Sequence, residues 1–298
     1  MKRTAILTPL IFAAALSFAL GIGERGDFKY DGIREIEIVA ATFAVDIQGT
    51  RSRSISLEVR NAPDNLQVLH SRSRDRLEIW VERKFSLLGR PHRGELVLFV
   101  PRDAELRIRT STGKVNIRNI TGDRLSVDTT TGHITLEEIT AAMRVETSTG
   151  AVEILDSAGR FDIRSTTGRI ELQRTTGDVV AESSTGRHSY REIIGDLVAR
   201  STTGRIEIDG MQGTLDLRTS TGAQDGRGIV LTGDSSFESS TGRITMDFDG
   251  RVEQLEFDLR STTGSLRVGR EESQRRLFLG GTGFTIRGKS STGSQEYF

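Results

Sequence analysis

Between residues 105 and 264, apolar and polar positions alternate with a period of two, in short stretches closed by glycine. From Gly204 to Gly222 the apolar set is Ile206, Ile208, Met211, Leu215 and Leu217, while Arg205, Glu207, Asp209, Asp216 and Arg218 take the other parity. This pattern predicts short, half-buried β-strands, and no stretch of the region carries a helical period. Before residue 105 the alternation is less regular. It predicts strands over Ile33–Val39, Phe43–Ile47, Ile55–Val59, Leu66–Leu69, Leu77–Val81 and Leu96–Val100, with turns at Gly49, Pro63-Asp64 and Pro91.

The alternation is organised by a repeat. A tetrad of two hydroxyl residues, threonine and glycine ends at Gly113, Gly132, Gly150, Gly168, Gly186, Gly204, Gly222, Gly242, Gly264 and Gly293, most often 18 residues apart. A second glycine follows nine residues after several of these, at Gly122, Gly159, Gly177, Gly195 and Gly213. A period that keeps equivalent residues in equivalent places predicts an all-β fold, a parallel β-solenoid of 18-residue coils, because stacked coils put like on like. The tetrads from Gly113 to Gly264 then imply a rod about 40 Å long. Residues 24–104 are expected to form an irregular β cap, 105–268 the regular coils, and 269–298 a C-terminal coil and cap. No proline follows Pro101, as expected where nearly every backbone N–H joins a ladder.

Charge and composition narrow the possibilities. Arg109, Asp128, Glu146, Arg164, Glu182, Arg200, Arg218, Glu238 and Arg260 hold one position, three before the repeat threonine. Such a column excludes a lipid-facing barrel strand. Forty-one basic and 41 acidic side chains balance, which removes the general attraction that drives nucleic-acid binding. The absence of cysteine excludes disulfides, thiolate metal sites and a cysteine nucleophile. Lys2 and Arg3 ahead of an uncharged run from Thr4 to Gly23 have the layout of a secretory signal, the alternative being an uncleaved anchor. Either way the remainder is expected outside the cytoplasm, in the periplasm or at the cell surface.

The stretch Gly94-Glu-Leu-Val-Leu-Phe-Val-Pro101, followed by Glu105-Leu-Arg-Ile-Arg-Thr-Ser-Thr-Gly113 and the recurring hydroxyl-Thr-Gly and Thr-Gly-Asp steps, resembles the bacterial putative-adhesin family of unknown function built from β-strand repeats. The likeness spans roughly residues 30–268. It implies a parallel β-solenoid exported to the envelope, and it brings no catalytic residues.

Candidate chemistry lies mainly in columns. Thr112, Thr131, Thr149, Thr167, Thr185, Thr203, Thr221, Thr241 and Thr263 form the strongest one. Because Thr219 and Thr221 share the parity of Leu215 and Leu217, these threonines are expected to point inward or into the corner and to bond the turn backbone, with glycine supplying a permissive φ. A flat outer hydroxyl array that binds ice or another surface is the competing reading. Arg169, Arg187 and Arg205 open successive units and form a possible anion-gripping stripe, set against simple pairing with Glu153, Glu171 and Glu207. At most one aspartate per turn argues against a calcium roll, and the four histidines show no zinc spacing. His188 and Tyr190 stand in the inward row as core substitutions, and no Ser/His/Asp motif appears. The loop Lys84–Arg93, with Phe85, Leu87 and Leu88 among basic residues, would cover an open end or touch a membrane or partner. These features predict a non-enzymatic exported solenoid that binds a cell-surface glycan or envelope protein, without cofactor or metal. The alternatives are a self-associating envelope scaffold and a carbohydrate-active enzyme.

Overall fold

The computed structural model describes residues 28–62, 66–83, 94–250 and 252–298; the N-terminal signal-like segment, Pro63-Asp64 and the loop Lys84–Arg93 lie outside them. The architecture is a parallel β-solenoid with two strands per coil. One strand runs into the tetrad, as Leu197–Thr203 does, and the next leaves it, as Ile206–Gly213 does. Each pairs in parallel with its equivalent 18 residues on, Ala199 opposite Leu217 and Ile208 opposite Gly226. The apolar parity therefore stacks into continuous inward rows. Ile163, Ala181, Ala199 and Leu217 form one row, Ile170, Ile206 and Ile244 belong to the other, and all are fully buried. One thin core serves every coil, which is why 35% hydrophobic residues suffice.

The tetrad ladder contains fourteen strands, from Leu66–Ser73 at one end to Arg276–Leu279 at the other, a length of about 60 Å at the spacing of hydrogen-bonded strands. The strand Gln224–Leu231 pairs with Ile244–Phe248 with a register shift between Gly226 and Ile229.

Axial order and chain order diverge at both ends. The first coil, Glu35–Ala41 and Ala44–Thr50, sits between the coil beginning at Glu105 and the later strands Arg76–Arg83 and Glu95–Pro101. At the other end Thr285–Ser290 inserts between Ser235–Thr241 and Glu256–Ser261, and Gln295–Tyr297 between Ile244–Phe248 and Leu266–Val268. The last coil of the chain is thus the penultimate coil of the rod. The antiparallel strands Leu66–Ser73 and Phe28–Asp31 close one end, and Glu271–Ser273 and Arg276–Leu279 the other.

Candidate functional site

The tetrad is a corner, and its geometry corrects the orientation expected for the repeat threonines. Only the first hydroxyl of each tetrad is buried: Thr110, Thr129, Thr147, Ser165, Ser183, Ser201, Thr219, Ser239, Ser261 and Ser290. The repeat threonines Thr112, Thr131, Thr149, Thr167, Thr185, Thr203, Thr221, Thr241 and Thr263 are all exposed. Strand parity holds up to the first hydroxyl; the chain then turns, and both following residues remain outside. Most of the turn-stabilising bonds belong to the first hydroxyl, while the repeat threonine Thr263 donates to the carbonyl of Ser291 in the adjacent corner at 3.1 Å. The amides of Gly113, Gly132 and Gly264 donate to Thr110 Oγ1, Thr129 Oγ1 and Ser261 Oγ at 3.2, 3.0 and 2.8 Å, whereas the hydroxyls of Thr219 and Ser290 donate to the carbonyls of Gly222 and Gly293 at 3.1 and 2.9 Å.

Glycine is required at the corner by close approach. A Cβ on Gly204 would lie 1.8 Å from the carbonyl oxygen of Gly186, and the same conflict recurs along the column from Gly113 through Gly132, Gly150, Gly168, Gly186, Gly204, Gly222 and Gly242 to Gly293 and Gly264. In that axial order the insertion of the last coil is visible again.

Beside the corner runs a groove of about 860 Å³. It crosses eight successive rungs, about 34 Å. One side carries the charged column Asp128, Glu146, Arg164, Glu182, Arg200, Arg218, Glu238 and Lys289; the other carries the exposed second hydroxyls, including Ser148, Thr166, Ser184, Thr202, Ser220, Ser240 and Ser291. The buried first hydroxyls floor it. Its charges are cross-linked along the axis. Arg164 lies 3.4 Å from Glu146 and 3.7 Å from Glu182, Arg200 lies 3.0 Å from Glu182, and Arg218 lies 3.9 Å from Glu238. The hydroxyls of Thr147, Ser165 and Ser239 are buried on the floor without a hydrogen-bond partner among the described residues. The surface thus offers a line of donors and acceptors at regular spacing to an extended polar chain.

Under the floor, His188 Nε2 lies 2.7 Å from Ser183 Oγ, and Nδ1 lies 3.1 Å from the Tyr190 hydroxyl. A serine and an imidazole in contact invite comparison with a nucleophile and its base. Two other coils repeat the arrangement with glutamine. Gln224 donates to Thr219 Oγ1 at 3.1 Å; Gln295 donates to Ser290 Oγ at 2.9 Å and accepts from the Tyr297 hydroxyl at 3.1 Å. The glutamine pattern assigns His188 the neutral form with its proton on Nε2, donating to Ser183 and accepting from Tyr190. Burial pushes its pKa down to about 4 and pushes the Tyr190 phenol up. Aligning the units two residues after each tetrad glycine would have revealed this polar position from sequence.

Arg169, Arg187 and Arg205 project in one column on the adjoining ladder, since Ile170, His188 and Ile206 are in register. Each faces an acid: Arg169 lies 3.6 Å from Glu171, Arg187 lies 3.9 Å from Glu207, and Arg205 lies 3.3 Å from Glu207 and 3.4 Å from Asp225. The stripe is therefore compensated locally. No group of three or more His, Cys, Asp or Glu side chains poised for a metal occurs among the described residues.

The family model described as Toastrack DUF4097 matches residues 33–283. The chain belongs to this family. The Toastrack match covers all the regular coils and stops just before the inserted last coil. A solved structure described as that of a putative cell adhesion protein from Clostridium sporogenes is similar at 6% identity, over 92% of this chain and 99% of that one, with a TM-score of 0.26. No curated protein matches the Toastrack chain.

Proposed function

We propose that this Toastrack protein is a non-enzymatic, exported binding protein of the cell envelope that holds an extended glycan along the tetrad groove. The groove itself carries the reading: eight rungs of paired charged and hydroxyl side chains in one continuous channel. Its polarity suits a sugar chain better than an apolar ligand, since hydroxyls and ion-paired charges both donate and accept. The rise of one coil is close to the length of one pyranose in an extended chain, so successive sugars would meet equivalent side chains.

A catalytic reading has less support, because the Ser183–His188 contact is reproduced where glutamine replaces the histidine and serves there as a tether for a buried hydroxyl. The export proposal rests on the N-terminal segment Lys2–Gly23. The locally paired Arg169, Arg187 and Arg205 are a weaker anion surface than the groove.

The test is binding of the purified protein to a panel of envelope polysaccharides, with product analysis. Thr166→Trp and Thr202→Trp place bulk on the exposed rim and are expected to weaken binding at least about tenfold without changing the fold. Undiminished binding by both variants, absence of binding across the panel, or cleavage products would overturn the reading.

A further inference from the structure

Insertion of the last coil creates a charge arrangement that chain order conceals. In the outward column, Lys289 stands between Glu238 and Arg260, and Arg276 stands opposite Arg260 on the closing strand. Three cations therefore occupy consecutive rungs, about 4.8 Å apart, at the C-terminal mouth of the groove. Arg260 pairs with Asp258 at 2.9 Å, and Arg276 reaches the same carboxylate at 4.0 Å. Lys289 has no ion pair among the described residues and lines the groove. In the same column the like charges Arg200 and Arg218 are bridged by Asp216 at 3.6 and 3.2 Å. Adjacent like charges oppose one another; Asp258 is shared by Arg260 and Arg276, and Glu238, on the rung before Lys289, lies 3.9 Å from Arg218, so the three cations retain a local positive excess.

A second observation falls at the same place. Ser239, in register with Ser290 beside Lys289, is 4% exposed, and its hydroxyl lies at the groove with no hydrogen-bond partner among the described residues. The opposite end of the groove starts with two acids, Asp128 and Glu146. The channel is thus polarised along its axis.

We propose that Lys289, Arg260 and Arg276 form an anion subsite that takes the acid group of an anionic sugar, and that this fixes the direction of the glycan in the groove. The inference rests on the glycan-binding reading above. It favours an acidic sugar over an anionic lipid surface because Lys289 lines the end of the hydroxyl-lined groove and Arg260 and Arg276 continue its column on the next two rungs. A flat basic face would suit a membrane better.

The test is calorimetric titration with uronate oligosaccharides in two forms, free acid and methyl ester, together with vesicles containing an anionic phospholipid. The free acids are expected to bind at least about tenfold more tightly than the esters, with an advantage that shrinks as salt rises. Lys289→Glu is expected to erase the difference in affinity between acid and ester while leaving the thermal midpoint unchanged. Equal affinity for acid and ester, an unaltered Lys289→Glu profile, no binding of any free acid, or Lys289-dependent binding to the vesicles alone would overturn the subsite. Thr166→Trp separates the two proposals: ester binding that it abolishes keeps the groove reading even if the subsite fails.

Discussion

At the residue scale the informative position is the one two residues after the tetrad glycine. It is apolar in most coils, as at Ile170 and Ile206, but polar at His188, Gln224 and Gln295, where a side-chain nitrogen meets the buried tetrad hydroxyl. A buried hydroxyl without a partner costs about 1–3 kcal/mol, so the polar substitution is favourable only because hydroxyl and donor are buried together. Histidine adds a pH dependence that glutamine lacks. Its native pKa is about 4, against about 6.5 in the unfolded chain. Between these values the unfolded chain binds the proton and the native protein does not, so stability is full above about pH 6.5 and is lost as pH falls toward 4, by about 3 kcal/mol. Replacing His188 with glutamine is expected to preserve stability at pH 7 and to flatten this loss, read from urea midpoints between pH 4 and 7. An equally steep decline in the variant would place the sensitive group elsewhere.

At the element scale the tetrad works as a corner with a division of labour. The first residue caps the turn from inside, the glycine lets the backbones of adjacent coils approach, and the middle two residues face solvent. Thr129→Val removes the acceptor of the Gly132 amide and is expected to destabilise by about 1–2 kcal/mol. Thr131→Ala, two residues later and exposed, is expected to stay within about 0.5 kcal/mol. Denaturant unfolding of the pair checks this, and the reverse ranking would restore the inward threonine that strand parity suggests. Parity was sufficient for these strands: the alternation around Ile36, Val45, Leu57, Val68, Leu77 and Leu98 marks six strands ahead of the repeat, all present within a few residues of the expected bounds. It fails at the corner because a turn breaks the two-residue alternation on which it depends. The same limit hid the groove, which is built by residues on both sides of the bend.

At the scale of the whole molecule, both ends of the rod are closed by antiparallel strands, and the terminal coils lie one layer inside them. A solenoid built in strict chain order loses only its end when its last coil is removed. Here, deletion of residues 284–298 would open a gap between Ser235–Thr241 and Glu256–Ser261, two strands that pair only through Thr285–Ser290. The truncated protein is expected to lose protection of the whole segment 252–283 in hydrogen exchange while the coils before residue 222 stay protected; retention of that protection would show that the flanking coils can close directly. The sequence by itself determined the all-β class, the coil length, the inward aliphatic rows and the outward charges, because each follows from local alternation and from a period that stacking preserves. Only the tertiary structure decided the order of the coils, the face presented by the repeat threonines and the meeting of Lys289 with Arg260 and Arg276. The physical reason is that equivalent strands have nearly interchangeable edges, so pairing across a gap of 29 residues in one direction and 51 in the other leaves no mark on local periodicity.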